Sequence, residues 1–321
     1  MEATDRMGLL IGVDEAGYGP NLGPLVVAAT AWSVPGDPRS IDLWQVFGDV
    51  VYHGRSRDER RIGVADSKVI YSPAGGLSVL ERPVRSLLAL GDCAPQTFSS
   101  LWEHLSDSSI SETVAGPWLA DSPLVLPADV DGECDRQLVA RWRDTCADSG
   151  VSLVAVRCGI LTAAEFNRLL ERYENKAELL SQASLGLVRA LWPVDGDEPA
   201  LFVCDKHGGR NRYAHLLADC LEGRFVVGLE ERREVSRYRV DGSEIRFQRG
   251  AESELPVALA SMVAKYVREL VMLQFNRFWC KRVEGLRETR GYPVDARRFR
   301  DEVEPVRREL QIADDMFWRR R

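Results

Sequence analysis

The chain has 321 residues, of which 45% are hydrophobic, and a formal net charge of −7. This length fits one large domain or two small ones, and the acidic balance argues against a protein that coats nucleic acid without specificity. The sequence contains no apolar run of membrane-spanning length, no signal-peptide pattern and no Cys-x-x-Cys pair among its seven cysteines. We therefore expect a cytoplasmic protein with reduced thiols, no membrane association and no zinc site.

Apolar runs bounded by turn residues predict the strands. They fall at 8–14, 25–33, 152–159, 200–205 and 224–229. The segment 235–248 predicts a hairpin, because Asp241-Gly242 is a preferred two-residue turn between two strand-like runs.

Two segments carry the clearest helical periodicity. Apolar residues recur every three or four positions from Ala163 to Leu191, and Thr162 with Glu165 forms a capping-box pattern. A second helix is expected from Pro256 to about Trp279, with proline at its first turn. Together with the strands, these helices predict an α/β domain with a central mixed sheet flanked by helices.

The segment that follows the first strand carries two adjacent carboxylates. The apolar run 9–13 leads directly into Asp14 and Glu15, and glycines and prolines punctuate the chain up to Pro24. A carboxylate at the end of a core strand is costly unless it is compensated, and a divalent cation is the usual compensation. Glycines beside it allow a backbone to approach closely. The segment predicts a metal site next to a bound polymer.

The same residues resemble a known family. The pattern Asp14-Glu15-Ala16-Gly17-x-Gly19-Pro20-x-x-Gly23-Pro24 resembles the signature of ribonuclease HII and, less closely, that of its sister ribonuclease HIII. Three more segments resemble family motifs in the same order along the chain: Asp66-Ser67-Lys68, Ala260-Ser261-Met262-Val263-Ala264-Lys265 and Gly291-Tyr292-Pro293-Val294. The resemblance covers about residues 8–90 and 155–300.

The resemblance implies a ribonuclease H-like fold and a division of the chain. Residues 1–90 and 151–280 would form the catalytic domain, and 91–150 would be an insertion of unknown role, partly helical around 135–146. Residues 281–321 would form a basic C-terminal helical or loop segment, with 12 Lys and Arg against nine Asp and Glu. That segment is either a phosphate-facing surface or a solvated, ion-paired helix surface, and for the tail itself we favour the second.

The family uses four carboxylates, so two are needed besides Asp14 and Glu15. The third candidate is Asp205, which ends the buried strand 201–204; the family has Asp-Gly there, whereas here Lys206 follows. The alternative role of Asp205 is to cap a following helix. With the fourth carboxylate these residues would coordinate two Mg²⁺ or Mn²⁺ ions, which favour oxygen ligands.

The fourth candidate is Glu252, four residues before Pro256. Ribonuclease HII has aspartate at the matching position, and ribonuclease HIII has glutamate. Glu254 is the competing candidate. Acidic residues near a helix N-terminus also complement the helix dipole, and this role is compatible with metal binding.

The resemblance also implies residues that bind the substrate. Gly17, Tyr18 and Gly19 match the loop whose backbone reads the 2′-hydroxyl, the group that distinguishes RNA from DNA. Tyr18 replaces the basic residue of the family, and Arg210 or Arg212 would supply the missing cation. The alternative for the glycines is a tight turn.

Two further positions would contact the nucleic acid. Tyr292 matches a tyrosine that stacks on the deoxyribose beside the ribonucleotide, and Lys68 matches a contact to a backbone phosphate. Their alternatives are a buried loop tyrosine and a solvated lysine. Lys265 would hold either a phosphate or a carboxylate, and His207 is expected to be a loop histidine rather than a proton-transfer group.

These matches imply a phosphodiester hydrolase that cleaves the RNA strand of RNA–DNA hybrids, or incises 5′ of a ribonucleotide embedded in duplex DNA, leaving 5′-phosphate products. Its partner would be such a nucleic acid, and protein partners are unknown. One alternative is a nucleic-acid-binding relative with weak or no catalysis. Another is a nuclease of the same fold that acts on branched DNA.

Overall fold

The computed structural model describes residues 6–55, 60–72, 75–106, 116–121, 123–129, 135–173, 175–192, 198–221 and 223–320. Parts of the predicted insertion, namely 107–115, 122 and 130–134, lie outside the described residues, as does Cys134. The six cysteines within the described ranges are free thiols. Within those ranges, no helix is both long and apolar enough to cross a lipid bilayer.

The centre of the fold is a mixed sheet of seven strands in the order β5-β2-β1-β6-β9-β8-β7, and β3 and β4 form a separate parallel pair. The strands are β1 Met7–Ala16, β2 Leu25–Pro35, β3 Val51–His53, β4 Ile62–Val64, β5 Ser152–Leu161, β6 Ala200–Asp205, β7 Val226–Glu231, β8 Val235–Val240 and β9 Ser243–Gln248. Strands β1, β6 and β9 run parallel, and the other pairings of the large sheet are antiparallel. This confirms the predicted central mixed sheet.

Helices cover both faces of the sheet. They are α1 Leu43–Val46, α2 Ser67–Ile70, α3 Ser78–Leu90, α4 Phe98–Ser106, α5 Arg136–Ser149, α6 Ala163–Arg172, α7 Lys176–Leu191, α8 Ala214–Cys220, α9 Leu255–Cys280, α10 Pro293–Glu309 and α11 Asp314–Phe317. Alternate residues of β1 enter two separate cores, since successive strand side chains point to opposite faces. One core contains α9, and the other contains α6, α7 and α8. The helical C-terminal part is confirmed by α10 and α11.

Most local predictions hold. Strands β8 and β9 meet at the predicted turn, and the Thr162–Glu165 capping box is present. The single helix predicted over 163–191 is wrong, because α6 ends at Arg172 and α7 begins at Lys176. Asn175 has an extended backbone, and its side chain accepts a hydrogen bond from the Glu178 amide, so it starts a new helix rather than continuing the old one.

The described parts of 91–150 pack onto the sheet through aromatic side chains. Trp142 of α5 stacks on Trp32 of β2 with 6.3 Å between ring centroids. Trp118 packs edge-on against Phe275 of α9 at 5.0 Å. These residues belong to the same core as α9, so this segment adds to the main core wherever it is described. Its origin as an insertion stays a prediction.

The sheet and α9 come very close together at Gly12, in the middle of β1. A Cβ atom at this position would lie 2.3 Å from both the carbonyl carbon of Pro256 and the amide nitrogen of Val257. The Thr30 hydroxyl on the neighbouring strand also donates a hydrogen bond to the Pro256 carbonyl at 2.9 Å. The absence of a side chain at Gly12 therefore brings the end of β1 against the first turn of α9.

Gly12→Ala is expected to lower the free energy of unfolding by about 2–3 kcal/mol, because two backbones must separate to admit one methyl group. The matched control is Gly159→Ala in β5, where a Cβ atom would meet no neighbour within 4 Å and the backbone is not in the left-handed region. Denaturant midpoints of the two variants measure the difference. Equal midpoints would show that β1 and α9 are not in tight contact at Gly12.

Candidate functional site

The three parallel strands end at one edge of the sheet. Val13 pairs with Cys204, so Asp14 lies beside Asp205, the last residue of β6. Asp205 pairs in turn with Gln248 at the end of β9, and Glu252 follows in a short 3₁₀ turn over Ala251–Ser253. Parallel strands thus bring carboxylates from distant parts of the sequence to one place.

A cavity of about 630 Å³ opens at this edge of the sheet. Its lining combines acidic, basic and small residues: Asp14, Asp66, Asp205 and Glu252; Lys68, Lys206, Arg233 and Arg249; and Gly208, Gly209, Asn211 and Gly250. Three of the four predicted carboxylates and Lys68 therefore share one charged cavity. We call this the carboxylate cavity.

Burial and mutual repulsion keep these carboxyl groups from ionising easily. Burial raises the pKa of Asp14 well above its usual value, and the charge of Glu15 raises it further. Burial, followed by the charge of Asp205, raises the pKa of Glu15 to about 7. Burial also raises the pKa of Asp205, and Glu252 adds to this by repulsion. A cation placed among these groups would relieve that repulsion.

Lys68 is the positively charged side chain whose pKa these carboxylates raise. Burial by itself lowers the pKa of its ammonium group, but the charges of Asp14, Asp66, Glu15 and Asp205 outweigh burial and raise it. Lys68 is therefore held in its charged form beside the carboxylates, while its side chain remains exposed to solvent. It is placed to meet an anionic group that enters the cavity.

The donor chemistry of the cluster fits Mg²⁺ or Mn²⁺, since every candidate ligand is a carboxylate oxygen. No three Asp, Glu, His or Cys side chains in the described ranges, however, stand close enough together to form a ready-made metal site. The carboxylates share the cavity without enclosing a coordination sphere. The two-metal centre therefore remains a prediction.

The structure bears on the alternative role of Asp205 as a helix cap and on the choice between Glu252 and Glu254. Asp205 does not cap a helix, because α8 begins at Ala214 with Tyr213 as its N-cap residue. Glu252 lines the carboxylate cavity, whereas Glu254 is the N-cap residue of α9 and interacts with Arg246 and Asp42. Glu252 also precedes α9, so its charge remains compatible with the helix dipole.

The loop after β1 is tightly held. Gly17 has a φ of +90°, and a Cβ atom there would lie 2.5 Å from the Pro24 carbonyl oxygen and 2.6 Å from Arg268 Nε. Both the positive φ and the close contacts require glycine at this position. Gly19 is neither strained nor crowded, since a Cβ atom there would meet nothing within 4 Å.

Tyr18 extends from this loop to the segment after β6. A Cβ atom at Gly208 would be 3.2 Å from the Tyr18 hydroxyl. Burial raises the pKa of Tyr18, Glu15 adds to the rise, and the positive charge of Arg210 opposes it. Arg210 is therefore the nearby cation of the two considered, whereas Arg212 is exposed and faces Glu231 at 3.7 Å.

Tyr292 lies beside the same loop. Its side chain is 54% exposed, so the alternative of a buried loop tyrosine is wrong. The preceding residue, Gly291, accepts hydrogen bonds from the amides of Asn21 and Leu22 at 2.7 and 3.3 Å. These contacts place an exposed aromatic ring next to the glycine loop.

Of the two roles considered for Lys265, the structure shows the contact to a carboxylate, because Nζ lies 2.6 Å from Glu269.

His207 is not positioned for proton transfer in the cavity. Its ring is buried, and Nδ1 lies 3.0 Å from the Ser181 hydroxyl. Burial, with a contribution from Arg210, lowers the pKa of His207 to about 3. The ring is therefore neutral near pH 7. His207 lies in the loop between β6 and α8, as expected, and its side chain packs in the protein interior.

Sequence reasoning missed several residues at the site. Asp66 lines the cavity and was signalled only as part of the Asp-Ser-Lys motif, while its side chain accepts a hydrogen bond from the Lys68 amide. Arg233 and Arg249 reach the cavity from the ends of the β8–β9 hairpin, and no sequence pattern marks them. Arg319 belongs to the tail that was expected to be solvated, but its side chain is fully buried.

No family model matches this sequence, and no curated protein is similar to it at a significant level. Among solved structures, the chain is similar to ribonuclease H2 from Pyrococcus horikoshii, with 16% identity and a TM-score of 0.49 over 96% of this chain and 92% of that one. It is also similar to RNase HII of Archaeoglobus fulgidus, solved in complex with PCNA, with 14% identity and a TM-score of 0.41 over 95% and 90%. A third similar structure is Bst-RNase HIII in complex with Mn²⁺, with 16% identity and a TM-score of 0.38 over 96% and 63%. These similarities concern the fold.

Proposed function

We propose that this protein is a metal-dependent endonuclease that cleaves the RNA strand of RNA–DNA hybrids or incises 5′ of a ribonucleotide embedded in duplex DNA. The observation that carries the proposal is the carboxylate cavity, which is lined by Asp14 of β1, Asp205 of β6, Glu252 in the turn after β9 and Lys68. The four sequence motifs that resemble ribonuclease HII contribute residues to this cavity or to its surroundings.

In this proposal Asp14, Glu15, Asp205 and Glu252 hold the cations. Two bound Mg²⁺ or Mn²⁺ ions would supply water activation and charge relief at the phosphate. Burial and repulsion raise the pKa values of Asp14 and Glu15, so cations and protons would compete for the same oxygens. Lys68 contacts the phosphate, because it is charged and exposed beside the carboxylates.

The residues that would read the substrate belong to the glycine loop, the segment after β6 and the segment that contains Gly291 and Tyr292. The main chain of Gly17, Tyr18 and Gly19 would face the ribose 2′-hydroxyl, and Arg210 would supply the cation that Tyr18 does not. The exposed ring of Tyr292 would stack on the neighbouring deoxyribose. These three assignments are supported by the contacts between the glycine loop, the segment after β6 and Gly291.

A second candidate is a nucleic-acid-binding protein with weak or no catalysis. Two observations favour it: Tyr18 stands where the family has a basic residue, and Lys206 stands where the family has glycine. Lys206 is tied to the β8 side of the cavity, since Nζ donates to the Arg232 carbonyl at 2.7 Å and the Ser236 hydroxyl at 2.8 Å. The branched-DNA nuclease remains a third candidate.

One substrate panel separates the three candidates. The protein is incubated with Mg²⁺, Mn²⁺ or EDTA and with a full hybrid, a duplex containing one ribonucleotide, an all-DNA duplex of the same sequence and a four-way DNA junction. We expect cation-dependent cutting of at least one ribose-containing duplex and sparing of the all-DNA duplex. Binding without cutting would support the second candidate, and cutting of the junction alone would support the third.

A further inference from the structure

The glycine loop, residues 17–23, accepts hydrogen bonds from Arg319, a buried arginine near the other end of the sequence. Arg319 Nη2 donates hydrogen bonds to the carbonyl oxygens of Tyr18 at 3.1 Å and Pro20 at 2.6 Å. Nη1 makes a longer contact of 3.5 Å to the Gly23 carbonyl. One planar guanidinium group thus gathers three carbonyl groups of one loop.

The main chain of Arg319 is tied to the same loop. The Arg319 amide donates to the Asn21 carbonyl at 2.8 Å, and Asn21 Nδ2 donates to the Arg319 carbonyl at 3.0 Å. A second buried guanidinium, that of Arg268, donates to the Leu22 carbonyl at 3.3 Å. The inner side of the loop is therefore made of carbonyl groups directed at buried cations.

Neighbouring elements fix the position of Arg319. Its guanidinium lies over the Phe166 ring of α6 at 4.4 Å, and Phe317 packs in the α9-side core. Asn167, also on α6, donates to the Trp318 carbonyl at 2.8 Å and accepts from the Arg320 amide at 2.8 Å. The segment around Arg319 is thus attached to α6 on both sides of the arginine.

The Arg319 side chain is fully buried, and in the described part of the chain its hydrogen bonds go to carbonyl groups rather than to a carboxylate. A buried charge of this kind is costly unless hydrogen bonds to dipoles compensate it, and here the loop carbonyl groups provide most of them. Moving the loop would leave the charge uncompensated. The guanidinium therefore favours one conformation of the loop over all others.

We propose that Arg319 is a positioning residue for ribose recognition: by holding the carbonyl groups of residues 18, 20 and 23 inward, it fixes the outer edge of the glycine loop in the conformation that meets the 2′-hydroxyl. This inference rests on the proposed function. It assigns substrate discrimination to a side chain that itself touches no substrate.

The test compares Arg319→Met, which keeps bulk without charge, with Arg319→Lys, which keeps charge without the planar fork. The matched control is Arg320→Met, whose exposed side chain pairs with Asp315 and Glu171 outside the loop. Hydrogen exchange of peptides covering 17–23, measured without substrate, should be about tenfold faster in Arg319→Met, intermediate in Arg319→Lys and unchanged in the control. Unchanged exchange in both Arg319 variants would overturn the inference.

The second readout is the ratio of dissociation constants for the all-DNA duplex and the single-ribonucleotide duplex, measured in EDTA. We expect this ratio to fall at least about fivefold in Arg319→Met and to be partly restored in Arg319→Lys. A loss of folded protein weakens both affinities equally and leaves the ratio unchanged, so a structural role alone does not move it. If Arg319→Met does not fold, Arg319→Lys decides through the same two measurements.

The proposed function and the positioning role of Arg319 are rejected by different results. A wild-type ratio of one, with no cleavage of any ribose-containing duplex, would reject the proposed function and with it the ribose role of Arg319. Wild-type discrimination that survives in the folded Arg319 variants would reject the positioning role alone.

Discussion

Asp14→Asn is expected to remove nearly all nuclease activity, with a fall in kcat of about 10²–10³-fold or more, because a cation-holding oxygen is replaced by a neutral amide. Asp14 is the most deeply placed of the candidate ligands, at the strand end packed against α9. Cleavage of the single-ribonucleotide duplex under saturating Mn²⁺ measures the effect. Asp301→Asn, on the exposed surface of α10, is the control and should retain full activity.

The same substitution should stabilise the cation-free protein. A carboxyl group whose pKa is raised in the folded state contributes stability below its unfolded pKa and loses that contribution as the pH rises. Asp14→Asn escapes this loss, so in EDTA at pH 8 we expect its Tm to exceed that of the wild type by a few degrees. The difference should shrink towards pH 4, and Mn²⁺ should raise the Tm of the wild type more than that of the variant.

These two results together distinguish a ligand from a structural acid. An Asp14→Asn protein that is both less stable than the wild type and equally stabilised by Mn²⁺ would show that Asp14 holds the fold rather than a cation. Retained cleavage at the wild-type rate would remove Asp14 from the catalytic set.

Glu252→Gln is expected to lower kcat by about 10²-fold, while Glu254→Gln changes it by less than about twofold. The two acids are separated by one residue and precede the same helix, so their effects on the α9 dipole are similar. Only Glu252 lines the carboxylate cavity and repels Asp205. Parallel cleavage assays over a Mn²⁺ titration compare the variants.

The cation dependence gives a second check on this pair. If Glu252 is a ligand, its variant should require a higher Mn²⁺ concentration for half-maximal activity, and the Glu254 variant should not. Equal losses in both variants would assign the effect to the helix dipole. A loss confined to Glu254→Gln would exchange the roles of the two residues.

Local sequence patterns predicted the elements that are stabilised locally. The β8–β9 hairpin follows from its Asp-Gly turn, and the Thr162–Glu165 capping box follows from residues three apart. The break between α6 and α7 was missed because the apolar periodicity continues through it. The helix is interrupted because Asn175 caps a new helix rather than continuing the previous one. The balance between these two conformations depends on a few local hydrogen bonds.

Some residues of the candidate site could likewise be predicted from local sequence patterns, and others could not. The position of Asp205 at the end of β6 could be read from an apolar run that stops at an acidic residue. For Asp14 and Glu15 this reasoning was wrong in detail, because β1 continues to Ala16 and holds both acids within the strand. The inclusion of Asp66, Arg233 and Arg249 in the same cavity could not be predicted in this way, because it depends on which elements lie side by side. The buried position of His207 likewise depends on packing against Ser181 and Phe247, which are distant in sequence.

The sequence by itself predicted most strands and helices, the acidic residues beside β1 and β6 and the glycine-rich segment after β1, since these features depend on patterns among residues near one another in the chain. Only the tertiary structure decided that Glu252 rather than Glu254 faces the cavity and that Arg319 lies beneath the glycine loop. The physical reason is the distance along the sequence between the residues that interact. Hydrophobic periodicity and turn chemistry act over a few residues, whereas the compensation of a buried charge by carbonyl groups about 300 positions away exists only after the chain has folded.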